Sequence, residues 1–193
     1  MKPKIIREEN LKLHGDEIQK ISIVDNKKNP LFARKDIIYA DEEFWRSLKR
    51  KERISGIYHE RGHITKIGRR FINFSNFLMG IGSLLIALFI FKLILILLLK
   101  SGINALSWHI SNFYLIIGLL LIILASLLRW IAETICDANA VINNGITPFK
   151  SLLNRCYIWN KKYRNCVERF QNNYLYHVPR KLRLRIINGW GED

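Results

Sequence analysis

Two long apolar runs limit what this chain can fold into. Residues Phe77 to Leu99 are almost wholly apolar, with Lys92 the one charge. Phe113 to Leu128 form a second run, which extends to Ile131 or Ala132 across Arg129. A helix needs about 20 apolar residues to cross the hydrocarbon core of a bilayer. The first run is long enough, and the second is long enough once extended. A pair of buried core helices is the alternative, but a 193-residue chain holds too little other apolar material to wrap both. The pattern therefore predicts a two-helix transmembrane hairpin over residues 71–132, with spans at about 77–99 and 113–132. Lys92 lies in the outer third of its run, where a lysine can snorkel to the interface.

Charge gives the hairpin a direction. The net charge is +15, and its placement matters more than its size. Lys49, Arg50, Lys51, Arg53, Lys66, Arg69 and Arg70 precede the first span. Arg129, Lys150, Arg155, Lys161, Lys162, Arg164 and Arg169 follow the second run. The connecting stretch Lys100 to Asn112 carries one lysine. The positive-inside rule then puts both termini in the cytosol, as a multi-pass integral membrane protein. The basic surface suits anionic lipid headgroups, so membrane lipid is an expected partner. Nucleic acid is not, because no recognition motif accompanies the charge. Cys136, Cys156 and Cys166 are odd in number and lack paired metal-ligand spacing, which fits a reducing compartment. No cleavable signal peptide is visible, since the N-terminus is charged and the first long apolar run begins far inside the chain.

The flanking segments read as one α+β module split by the hairpin. Residues 1–70 form its N-terminal half, with a small sheet and a helix, and residues 133–193 its helical C-terminal half. Residues 1–15 read as an arm with helical tendency limited by Pro3 and Gly15. Glu17 to Asp25 reads as a strand, and Asp25 to Pro30 as a turn cluster. Leu31 to Ala40 holds one or two short strands, and Asp41 starts a short helix. A longer helix is expected from about Lys49 through His63 to about Arg70. Beyond the hairpin a helix ends near Asn143-Asn144-Gly145. Another starts at Thr147-Pro148 and reaches Asn172 or Asn173, and a last short one follows Pro179.

His59-Glu60-Arg61-Gly62-His63 is a His-Glu-x-x-His motif on the longer helix. Histidines four apart share a helix face, so both imidazoles can bind one Zn²⁺, with the intervening glutamate as general base. A third ligand must come from elsewhere. Glu133 is the candidate, in Ala132-Glu133-Thr134-Ile135-Cys136-Asp137. Asp137 shares its helix face and can accept from the distal nitrogen of a ligand histidine. The alternative reading of Glu133 is an interfacial carboxylate paired with Arg129 at i−4. Cys136 reads as a small buried hydrophobe, with approach to the metal as the alternative. A two-span hairpin returns the chain to its starting side and so brings the half-sites together, although 70 residues separate His63 from Glu133.

At these residues the chain resembles the HtpX-like and CAAX-prenyl-endopeptidase family of integral-membrane zinc metalloproteases. His59-Glu60-Arg61-Gly62-His63-Ile64 resembles the family's His-Glu-x-Gly-His-Ile, and Glu133-x-x-x-Asp137 its Glu-x-x-x-Asp. Glu52 falls where the family often has an acidic residue. Asn29-Pro30-Leu31-Phe32-Ala33 looks like its stretch entering the strand beside the substrate cleft. His177-Val178-Pro179 with Arg183 is similar to its His-Pro-Pro…Arg element. The resemblance spans roughly Glu17 to Ile187. It implies a zincin-like metalloprotease domain in which His59, His63 and Glu133 bind zinc and Glu60 activates water. It implies also that His177 and Arg183 sit near the substrate carbonyl and stabilise its oxyanion, as amide hydrolysis requires.

The chain departs from the family pattern in its basic Lys66 to Arg70, in Arg61, in Cys136 where alanine is usual, and in Val178. Sensor-transducer metalloproteases of the BlaR/MecR kind favour Cys-Asp in the second motif, but their two motifs lie closer together. The resulting expectation is a membrane-bound zinc endopeptidase acting at the cytosolic face on membrane-associated or misfolded proteins. A peptide or protein substrate is the implied partner, and a homo-oligomer is compatible. A catalytically silent membrane scaffold that kept the site residues is the competing expectation.

Overall fold

A computed structural model describes residues 4–99, 105–171, 175 and 177–190. The described chain is mostly helical with one small mixed sheet. It divides into two compact units, Met1–Arg69 with Trp130–Asp193, and Arg70–Arg129.

The first unit begins with β1 (Ile5–Lys12), paired antiparallel with β2 (Ile18–Val24). This corrects the helical reading of the N-terminal arm. The strand's half-buried positions are Arg7, Glu9 and Leu11, so its period of two is hidden from a hydropathy reading. Arg7 bonds Glu9 and Glu42 there, and Glu9 accepts from the Trp45 indole at 2.8 Å. β3 (Leu31–Arg34) and β4 (Ile37–Asp41) form a hairpin, turned at Lys35 with φ 58°. The sheet order is β1-β2-β4-β3, with β2 and β4 parallel and β3 at one edge.

Ile21, Ile23, Ile38 and Ala40 form the sheet's share of a core completed by five helices. α1 (Glu42–Ser47) contributes Phe44 and Trp45, and α2 (Arg50–Ile64) contributes Ile54 and Ile57. α5 (Ile146–Tyr163) adds Phe149, Leu152 and Leu153. Ile187 of α7 (Arg180–Gly189) and Ala140 of α4 (Ala105–Asn144) complete it. Asp41 caps α1, its carboxylate accepting from the Phe44 N–H at 3.1 Å.

Three helix boundaries differ from expectation. The helix through His63 stops at Ile64, and α3 (Lys66–Leu99) starts afresh. Thr65 serves both ends: its hydroxyl donates to Gly62 O at 2.7 Å and accepts from Gly68 N–H at 3.1 Å. α4 already begins at Ala105, inside the stretch connecting the apolar runs. α5 ends at Tyr163, after which Asn165 caps α6 (Cys166–Phe170) by accepting from Glu168 N–H at 2.8 Å. Asn172 and Asn173 lie outside the described residues.

The second unit consists of parts of α3 and α4. Both helices are long and apolar enough to cross a membrane. Only 6% and 22% of their most apolar windows are buried within the protein, which argues against soluble core helices. They meet closely at Gly82 and Gly118: a Cβ on either would lie 2.7 or 2.9 Å from the other's carbonyl oxygen. Small residues allow such approach where no hydrophobic force joins helices. Ser75 Oγ donates to Ala125 O at 2.8 Å across the same pair.

Candidate metal centre

α2 carries His59, Glu60 and His63, and α4 carries Glu133, Cys136 and Asp137. Both triplets belong to the first unit. Gly62 lets the helices touch: a Cβ there would lie 2.7 Å from Cys136 Sγ and 2.9 Å from its Cα. Gly62 stands in the last turn of α2, and its lack of a side chain leaves the room for this approach.

The His59 and His63 rings are nearly perpendicular, with their Nε2 atoms 3.2 Å apart. Glu133 Oε1 lies 3.3 Å from His63 Nε2, and Glu133 Oε2 lies 3.7 Å from His59 Nε2. Glu60 joins both histidines in a cluster whose potential ligand atoms lie within 4.8 Å of one another. His59, Glu60 and Glu133 are buried. His177, just before α7, brings Nδ1 to 2.8 Å from Glu133 Oε2. Arg183 on α7 forks onto Asp137, with Nε donating to Oδ2 at 2.7 Å and Nη2 to Oδ1. Its Nη1 lies 4.0 Å from Glu133 Oε2.

Asp137 Oδ1 is 2.9 Å from His59 Nδ1, close enough to pair although the angle is not that of a directed hydrogen bond. Burial disfavours the His59 imidazolium, but Asp137, then Glu133 and Glu60, outweigh it and raise its pKa. For His63 burial wins and the pKa falls. Burial also opposes the charge on Arg183, but Asp137 outweighs it and raises the pKa, keeping the guanidinium cationic.

The donor set fits a zinc ion. Tetrahedral coordination at zinc's usual bond lengths of about 2.0–2.2 Å puts neighbouring ligand atoms about 3.3 Å apart. The observed separations of 3.2, 3.3 and 3.7 Å bracket that value. Glu133 is a buried carboxylate facing the Nε2 atoms of both histidines, so a cation held among them would offset the cost of its burial. Of the two carboxylates, Glu60 belongs to that close cluster, and Glu133 places one oxygen 3.3 Å from His63 Nε2 and the other 3.7 Å from His59 Nε2.

One neighbour, Phe149, had no signal in the sequence, whereas the sequence singles out Cys136 as a buried residue able to approach the metal. The Phe149 ring stacks on His59 with centroids 5.9 Å apart, and the Arg183 guanidinium lies 6.0 Å from its centroid. Cys136 Sγ lies 3.4 Å from His63 Nδ1, on the side of the ring away from Nε2. The thiol thus faces the outer nitrogen of a ligand candidate and not the cluster's centre. No family model, no curated protein and no solved structure matches this chain.

Proposed function

We propose that this chain is a membrane-bound zinc metalloendopeptidase of the HtpX-like kind, built on a zincin-like site. The observation that carries the reading is the set of His59, His63 and Glu133 ligand atoms at tetrahedral spacing beside Glu60. These three residues hold the ion, and Asp137 fixes the His59 ring from its other nitrogen. Bound there, zinc polarises a peptide carbonyl and lowers the pKa of a water. Glu60 accepts the proton of the attacking water and delivers it to the leaving amine. His177 is half-exposed and able to donate to the developing oxyanion. Arg183 gives two donors to Asp137, so it acts chiefly by holding that carboxylate, with Nη1 left to face the substrate.

β3 is an edge strand that packs on α2: a Cβ at Gly56 would meet Leu31 at 2.5 Å. An extended substrate adds to such an edge through main-chain hydrogen bonds, one element away from the motif helix. Two apolar helices and the asymmetry of basic residues support an integral membrane protein with its site and termini on the cytosolic side.

The test is zinc content and proteolysis of an unfolded protein such as casein by the detergent-purified chain. Wild type is expected to hold about one zinc and to cleave. Glu60→Gln is expected to keep zinc and lose at least about 100-fold in rate, the scale of a general base. Equal activity of the two proteins would exclude the enzyme reading and favour a silent scaffold.

A further inference from the structure

We infer that Cys136 is the positioning residue for His63, gripping its outer nitrogen as Asp137 grips that of His59. The inference rests on the zinc reading above. A histidine that ligates through one nitrogen needs a partner on the other to fix its tautomer and ring angle. His59 and His63 turn Nε2 toward each other and toward Glu133, so Nδ1 is the outer nitrogen of both. At His59 that nitrogen meets Asp137 Oδ1 at 2.9 Å. At His63 it meets Cys136 Sγ at 3.4 Å, within reach of an N–H···S hydrogen bond.

The pairing follows from two helical registers. The histidines are one turn apart on α2. Glu133, Cys136 and Asp137 are at i, i+3 and i+4 on α4, so they share one face. Glu133 enters between the inner nitrogens, and the two residues one turn later reach one outer nitrogen each. Cys136 is fully buried, and Gly62 brings α2 so near that Sγ packs on the motif's own backbone. A thiol holds the ring without adding a further buried charge beside Glu133, Asp137 and Arg183.

The experiment compares zinc affinity, by chelator competition, in detergent-purified full-length wild type, Cys136→Ala, Cys136→Ser and Cys166→Ala. Cys166 is an exposed thiol at the start of α6 and controls for loss of any cysteine. The alanine variant is expected to bind zinc about tenfold more weakly, the lower end for losing an outer partner because sulfur accepts weakly. Serine, which keeps an acceptor, is expected to stay within about threefold of wild type. The absorption spectrum of the cobalt-loaded proteins is the second readout. It should shift for Cys136→Ala, move less for Cys136→Ser and stay unchanged for Cys166→Ala. Wild-type behaviour of both Cys136 variants, or equal losses in alanine and serine, overturns the role of Cys136 while leaving the zinc site standing. Absence of zinc from folded wild type overturns both.

Discussion

At the scale of single residues, Gly62 links the motif to its partner helix. On an open helix face, replacing glycine by alanine gains about 1 kcal/mol. Here the added methyl would lie 2.9 Å from the Cys136 Cα, which is backbone and cannot swing aside. Gly62→Ala is therefore expected to lower stability by about 1–3 kcal/mol, the usual cost of overpacking, and to lower zinc occupancy with it. Thermal unfolding together with zinc per chain checks this, and a raised midpoint would contradict the close approach. The same residue marks how far sequence reasoning reaches. That His59 and His63 share a face follows from local spacing, and their Nε2 atoms lie 3.2 Å apart. Glu133 and Asp137 were candidates because they form a second local pair. Which ring nitrogen each meets depends on how α4 rotates against α2, and no local pattern encodes that. Cys136 was visible as a residue near the site, but the nitrogen it meets and the Phe149 stack were invisible for this reason.

At the scale of elements, the motif helix is anchored at its start by a buried carboxylate. Glu52 accepts from the Lys49 N–H at 2.7 Å, the Ser151 hydroxyl at 2.5 Å and Arg155 Nε at 2.9 Å. Burial pushes its pKa up, but these three donors outweigh burial and hold it below the ordinary value. A depressed carboxylate stabilises the fold above its unfolded pKa of about 4.3 and loses that contribution as pH falls through the folded value. Glu52→Gln is expected to cost about 1–3 kcal/mol at pH 7, as for a broken buried charge-assisted network. The penalty relative to wild type should shrink below about pH 4, where the wild-type carboxylate is itself protonated. Unfolding midpoints of both proteins at pH 7 and pH 3.5 test the sign, and an unchanged gap would remove Glu52 as an ionised anchor. The membrane-length helices offer a second test. Gly82→Ala should destabilise their packing by about 1–3 kcal/mol, while Gly80→Ala, with nothing within 4 Å of its added methyl, should not. Equal responses would mean that the Gly82–Gly118 approach is not what joins the helices. Elements were legible where their periodicity was hydrophobic, as in both apolar helices and β2. They were misread where inward positions are charged, as in β1, or where a side chain cuts a helix, as at Thr65.

At the scale of the whole molecule, the compact unit that holds the candidate site is discontinuous in sequence. Met1–Arg69 and Trp130–Asp193 build it, and Arg70–Arg129 form the intervening unit. Such an insertion keeps one site intact only if the chain leaves and returns on the same side. An even number of crossings meets that condition and a single one does not. The charge pattern makes the same demand independently. Eight Lys or Arg residues from Lys49 to Arg70, Arg61 included, and seven from Arg129 to Arg169 flank a connecting stretch with one lysine. Carrying either basic flank across the membrane would oppose the positive-inside bias, whereas translocating the short connection does not. The expected outcome is that reporters fused to the N-terminus and to the C-terminus both read cytosolic. A thiol-specific, membrane-impermeant reagent should then label a cysteine introduced into residues 100–104 from outside intact cells. Cys166, exposed at the start of α6, should stay unlabelled until the cells are opened. Labelling of Cys166 in intact cells, or reporters reading opposite sides, would sink the hairpin topology. The His59–Glu133 pairing would then need another explanation, because one crossing would put the two halves of the site on opposite faces of the membrane.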